Sequence, residues 1–124
     1  MKILLWVLQV MLGIYFTGFG VIHFIVPPNL PMGWMYELPD NLHYITGTLE
    51  ILGGIGLILP AATRIQTRLT PLAGLGLALL MVGAMLWHAT RSEYSNIGQN
   101  IILAALTAFI AYGRWRLRPL LDRD

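Results

Sequence analysis

The 124-residue chain contains no cysteine, which excludes disulfides, thiolate nucleophiles, Cys-ligated clusters and Cys-x-x-Cys redox chemistry. The same absence says nothing about compartment. Charge is nearly as scarce: Asp, Glu, Lys and Arg make up 11% of the residues against 56% hydrophobic ones, a balance outside that of soluble domains. The formal charge of +2 comes from few groups, most of them at segment ends, so it bears on topology and implies no nucleic acid partner. What remains is a membrane protein in contact with the lipid bilayer. At about 20 residues per span, the length supplies four spans with short loops and no separate soluble domain. The expected fold is all-α, a four-helix transmembrane bundle with antiparallel up-down-up-down topology, forming one membrane domain.

The first expected span covers residues 2–25 and ends at Pro27-Pro28. Lys2 resembles the start of a signal peptide, but the apolar run is too long and no small-x-small cleavage site closes it. Its far end carries His23 with Phe16, Phe19 and Gly20 on the same face, while Gly13 and Thr17 form a strip of small residues. Residues 26–39 are rich in proline and read as a loop at the interface, with Trp34 and Tyr36 at headgroup level and Met32, Met35 and Leu38 turned to the acyl chains or the bundle. The second span, 41–59, starts with Asp40 or Asn41 as N-cap and stops at Pro60. Thr70-Pro71 reads as the N-cap and first position of the third span, 71–90, whose inner face is Gly74, Leu77, Met81, Ala84 and His88. The fourth span, 96–113, opens with Asn96, Gln99 and Asn100, and a basic tail, 114–124, follows.

With four antiparallel spans, Lys2, Arg64, Arg68, Arg114, Arg116, Arg118 and Arg123 fall on one side and Arg91 alone on the other. The positive-inside rule then puts both termini in the cytoplasm of a plasma or inner membrane. Under this topology every span places its polar groups in the outer half, and the inner half holds little beyond Gln9 and Thr107. A polar pocket opening outward is the expected result.

Its centre is Glu50. A carboxylate in the middle of a membrane helix costs about 2.5–3.5 kcal/mol on insertion scales, so it is expected to face a bundle interior and a partner. By helix rise it lies roughly 10–15 Å below the outer end of its span. Gly47, Gly53 and Gly54 stand three or four residues away and let neighbouring backbones approach. Glu50 serves either as an acid or hydrogen-bond partner for a ligand headgroup, or as a protonated structural acid bonded between helices. His23 and His88 are candidate proton partners for it. His43, a turn into its span, either joins them or reaches the headgroups. Asn100 is expected to line the pocket, with Gln99 beside it and Asn96 as a cap. Zinc or iron on two His and one Glu would need a site assembled across helices, because no His-x-x-x-His or Glu-x-x-His pair exists. Haem on His23 and His88 would match in depth, but no other residue asks for it.

Gly20-Val21-Ile22-His23-Phe24 closing the first span, Gly47-x-x-Glu50-x-x-Gly53-Gly54 in the second, Pro60 with basic residues after it, and the polar start of the fourth resemble the DoxX family and its DoxX-like relatives over almost the whole chain. The resemblance implies a small membrane subunit. Named members imply a thiosulfate:quinone oxidoreductase subunit, others are tied to oxidative-stress complexes, and animal relatives of similar layout act as receptor-assembly chaperones. A quinone is therefore the ligand the resemblance suggests, held by Glu50, His23, His88, Asn100, His43 and Gln99, with other membrane or redox subunits as partners. A non-catalytic assembly factor, or a small transporter or ligand-binding protein working as a homo-oligomer, stays open beside it.

Overall fold

Each apolar run forms one helix in the computed structural model, which describes residues 2–26, 28, 36 and 38–122. These are α1 (Lys2–Ile25), α2 (Asp40–Thr63), α3 (Leu69–Thr90) and α4 (Tyr94–Tyr112), and a single π-helical stretch, Gly113–Leu117, prolongs α4. No strand occurs among the described residues. All four helices, α4 counted with its extension, are long and apolar enough to cross a membrane. Ile3, Ile14, Leu52, Leu79, Leu86 and Ile102 stand on their outer surface, more than half exposed, where hydrocarbon rather than water would cover them. Most of the interfacial loop expected at 26–39, including Trp34, Met32 and Met35, lies outside the described residues.

Inside, Leu12, Phe16, Leu57, Leu77, Met81, Leu103 and Ile110 form the core, drawn from every helix. The tightest seam joins α1 and α2, and glycine makes it. A Cβ on Gly20 would stand 2.7 Å from the Gly47 carbonyl oxygen, and one on Gly54 would stand 2.7 Å from that of Gly13. Small residues bring membrane helices this close, and the gain in packing replaces the hydrophobic drive that lipid cannot supply. The expected strip at Gly13 and Thr17 is part of this seam, since the Gly54 Cβ would also meet Thr17 Oγ1.

Three helix ends depart from the sequence reading. Pro60 was expected to stop the second span, yet α2 runs on to Thr63 and closes on Arg64 in the left-handed conformation. Proline removes the N–H that would bond the carbonyl four residues back, here Gly56. The Thr70 hydroxyl fills that gap by donating to Gly56 O at 3.0 Å, so the helix survives. For the same reason Thr70 is no N-cap: α3 begins at Leu69 with Arg68 before it. Neither Asp40 nor Asn41 caps α2, which follows Pro39 with no side-chain cap bond.

The largest correction concerns the tail. Arg114, expected to open an exposed basic segment, is 4% exposed and lies inside the bundle. Gly113 permits this, because its missing Cβ would strike the Leu5 side chain at 2.5 Å. The i to i+5 bond from Arg118 N–H to Gly113 O (2.7 Å) widens the last turn there. Arg114 Nε then donates to Gln9 Oε1 (2.5 Å), Gln9 Nε2 donates to Leu57 O (2.8 Å), and Arg114 Nη1 donates to Arg118 O (3.1 Å). Three helices are joined by one polar chain in the half expected to be almost free of polar groups. Beyond it the chain folds back, and the Thr67 hydroxyl and amide donate to Asp122 Oδ1 at 2.5 and 2.8 Å. Those bonds hold the Asp122 carboxyl below its ordinary value.

Candidate functional site

The other end of the bundle, where α1 finishes and α2 begins, holds the candidate site. Gly20 and Gly47 set it up: His23 follows Gly20 by three residues, Glu50 follows Gly47 by three, and His43 precedes Gly47 by four. The close backbone approach at the two glycines therefore stacks all three titratable side chains into one seam. His23, His43 and Glu50 are each at most 5% exposed. His23 Nε2 lies 3.5 Å from Glu50 Oε1, and His23 Nδ1 lies 2.9 Å from His43 Nδ1. Since two bare nitrogens cannot attract each other, one Nδ1 carries the shared proton.

Glu50 and His23 face a cavity of about 470 Å³. Its floor is apolar, with Met81 and Leu103, and its walls are aromatic. Tyr15 stacks on Phe19 (4.6 Å between ring centres) and meets Phe16 edge-on, while Trp87 closes the α3 side. Polar groups enter from each helix: Glu50 and Thr46 from α2, His23 and Tyr15 from α1, His88 from α3, and Asn96, Gln99 and Asn100 from α4. Gln99 Nε2 donates to the Tyr15 hydroxyl at 3.0 Å and ties α4 to α1. Two buried atoms of the cavity-lining side chains have no hydrogen-bond partner among the described residues, Glu50 Oε2 and Asn100 Nδ2.

The six residues singled out from sequence thus divide. Glu50, His23, His88, Asn100 and Gln99 line one cavity, and His43 does not. His43 is buried beside His23 and bonded to it. His88, a candidate partner of Glu50, instead places Nδ1 3.0 Å from Glu93 Oε1, which also takes Arg91 Nε at 3.1 Å. The hydrogen bond from His88, with Arg91 assisting, holds the Glu93 carboxyl below its ordinary value. Asn96 lines the cavity as well as sitting in the first turn of α4, whose N-cap position is Glu93. No three His, Asp or Glu side chains group to hold a metal ion among the described residues. Of the aromatic wall, Phe16 and Phe19 are on the His23 face that the sequence reading gives, whereas Tyr15 and Trp87 are not. Tyr15, Phe19 and His23 recur at steps of four, a helical face that could have revealed Tyr15. Trp87 gave no such signal, being one residue off the His88 face.

A model of the DoxX-like family matches residues 7–110. The chain belongs to the DoxX-like family. No protein of curated function and no solved structure matches it. The DoxX-like match reaches from the first turns of α1 to the end of α4 and so includes every residue of the cavity. Family and four apolar helices together make this an integral membrane protein whose outer surface meets lipid.

Proposed function

We propose that this DoxX-like protein binds a hydrophobic ligand with a polar ring head, a quinone, in the cavity around Glu50, as a subunit of a membrane redox complex. The observation that carries the reading is the pair Glu50 Oε2 and Asn100 Nδ2, two buried polar atoms without partners among the described residues, on side chains of α2 and α4 that line the same cavity. Each unsatisfied group costs about 1–3 kcal/mol, and a ligand oxygen bonded to it recovers that cost. The head of a quinone has the complementary chemistry: a carbonyl oxygen accepts from Asn100 Nδ2, and the hydroxyl of the reduced form donates to the Glu50 carboxylate. Tyr15, Phe19 and Trp87 offer faces and edges to a flat ring. The volume lies within the roughly 300–1,000 Å³ of small-molecule sites.

Access from the bilayer suits such a ligand. Of the lining residues, Ile45, Leu79, Gly83 and Gln99 are exposed, and the first three border the cleft between α2 and α3, where an isoprenoid tail would continue into the acyl chains. Electrons would be exchanged with another subunit, since the chain has no cysteine to carry them. The basic residues put both termini in the cytoplasm and the cavity in the outer leaflet of a plasma or inner membrane.

Thermal shift in detergent with a series of short-chain quinones tests the reading. Wild type should gain stability with concentration, about 2.7 kcal/mol at a hundredfold excess over Kd. Glu50→Gln keeps the size and one hydrogen-bonding oxygen, so it should fold normally yet lose most of that gain. Equal shifts in both proteins would make Glu50 a structural acid. Absence of a shift in either would favour the assembly-factor reading.

A further inference from the structure

Packing explains the Tyr15 ring but not its hydroxyl. The ring is fixed, stacked on Phe19 with 4.6 Å between ring centres and edge-on to Phe16 at 5.3 Å. A phenylalanine would make both contacts without bringing a polar group into an apolar bundle, where it is costly to bury. The hydroxyl oxygen accepts from Gln99 Nε2 at 3.0 Å, and both side chains line the cavity. A phenol also has a hydrogen of its own to donate. That hydrogen has no acceptor among the described residues, because Gln99 Nε2 is itself a donor and Tyr15 makes no other hydrogen bond there. The phenolic O–H lies in the ring plane, where two directions are open to it. Gln99, exposed on the outer surface, takes the oxygen from one side, and the hydrogen turns to the other. Its neighbour on α4 is Asn100, whose buried Nδ2 is likewise a donor without an acceptor.

We infer that the Tyr15 hydroxyl donates a hydrogen bond to a carbonyl oxygen of the ligand in the cavity, and that Gln99 is the positioning residue that turns the hydroxyl hydrogen toward it. The inference rests on the quinone reading for the ligand and deepens it by naming what the ligand must carry: an acceptor oxygen for Tyr15 besides the groups that meet Glu50 and Asn100. Gln99 changes its role accordingly. Its sequence position marks it as a ligand residue, but its Nε2 is engaged by Tyr15, so it acts on the ligand through that ring. The donor is set before any ligand arrives, since the stack on Phe19 and the bond from Gln99 are both present without one. A donor already held in place gives up less freedom on binding. A purely structural role, tying α4 to α1, needs a bond between the two side chains and is indifferent to which of them donates. The ligand role needs Gln99 to donate, because only then is the Tyr15 hydrogen left for the ligand.

The full chain in micelles is titrated with a benzoquinone carrying a single isoprenoid unit, at about pH 8, where an exposed glutamate is ionised. Tyr15→Phe keeps the ring and should weaken the Kd about tenfold, the effect of one hydrogen bond. Gln99→Glu separates the two roles. Its carboxylate can only accept, so it takes the Tyr15 hydrogen, keeps α1 tied to α4, and should weaken the Kd about as much. The two substitutions together should weaken binding no further than either alone, since both remove the same donor. A Gln99→Glu protein that binds as wild type does would overturn the inference and leave the quinone reading standing, and so would an unchanged Kd in Tyr15→Phe. Should Gln99→Glu fail to fold, the infrared carbonyl bands of the bound quinone decide. One band should lie lower in wild type than in Tyr15→Phe, and identical bands would overturn the inference. If wild type binds no quinone at all, the quinone reading falls and this inference falls with it.

Discussion

The two ends of the bundle treat their buried polar groups in opposite ways. At the tail end, Gln9 uses both ends of its amide and Arg114 uses Nε and Nη1, leaving only Nη2 without a partner, and the surrounding Leu5, Leu57 and Ile110 are fully buried. At the cavity end, Glu50 Oε2 and Asn100 Nδ2, buried atoms of side chains that line the cavity, have no hydrogen-bond partner among the described residues. A polar group satisfied within the fold serves the fold, whereas one held unsatisfied beside a cavity costs stability until something else bonds it. The difference teaches that the bundle is built at one end and kept available at the other.

Glycine substitutions should break that contrast most visibly. A Cβ on Gly54 meets backbone, the Gly13 carbonyl at 2.7 Å and the Thr17 nitrogen at 2.8 Å, and neither can give way without parting α1 from α2. Gly54→Ala should lower the melting temperature more than any other single methyl addition, by the equivalent of about 3 kcal/mol or more. Gly83, on the cavity wall, has nothing within 4 Å of its Cβ position. Gly83→Ala should be neutral or stabilising by up to about 1 kcal/mol, the helix-propensity difference. Similar losses in both would mean that the cavity wall at Gly83 is packed as tightly as the α1–α2 seam at Gly54.

Polar deletions come next in size. Gln9→Leu removes two bonds and leaves the buried, charged Arg114 Nε without its acceptor, a loss of about 3 kcal/mol. Asn100→Leu takes away a donor that the fold does not use, so the ligand-free protein should change by less than about 1 kcal/mol. Its quinone-dependent stabilisation should fall at the same time. Chemical or thermal unfolding of the two variants, with and without quinone, measures both effects. A large loss for Asn100→Leu without ligand would show that the side chain bonds within the fold after all.

The comparison also explains what the sequence could and could not disclose. Four apolar runs, their glycines and the clustering of polar residues at one end were legible, because membrane length and helical period act residue by residue. Glu50, His23 and Asn100 stood out since polar groups are costly at that depth. Arg114 did not, because its place depends on a π-helical turn and on Gly113 meeting Leu5, neither of which leaves a periodic trace. The continuation of α2 through Pro60 depends on Thr70, a residue of another helix. His43 looked like a headgroup histidine because its partner is set by the crossing of α1 and α2. Long-range pairing decided each of these.

The smallest expected effect lies in two carboxylates, the half-buried Glu93 and the exposed Asp122, that fasten the ends. Glu93 accepts from His88 and Arg91 at the cavity end, and Asp122 accepts from Thr67 at the tail end; both carboxyls are held below their ordinary values. A carboxyl whose folded value is depressed contributes stability that is fully present above its unfolded value, about 4. That contribution is lost as the pH falls through the folded value, when the acid is protonated in both states. Wild type should therefore melt lower near pH 3 than near pH 7, and Glu93→Gln or Asp122→Asn should each shrink the difference slightly. Solvent screens both groups, so the change should be small and weaker still in high salt. Melting curves at the two pH values and two salt concentrations read it directly. If Glu93→Gln alters the pH dependence and Asp122→Asn does not, the His88–Glu93 bond contributes to holding the cavity wall while the tail contact is incidental, and the reverse result would shift that weight to the tail end.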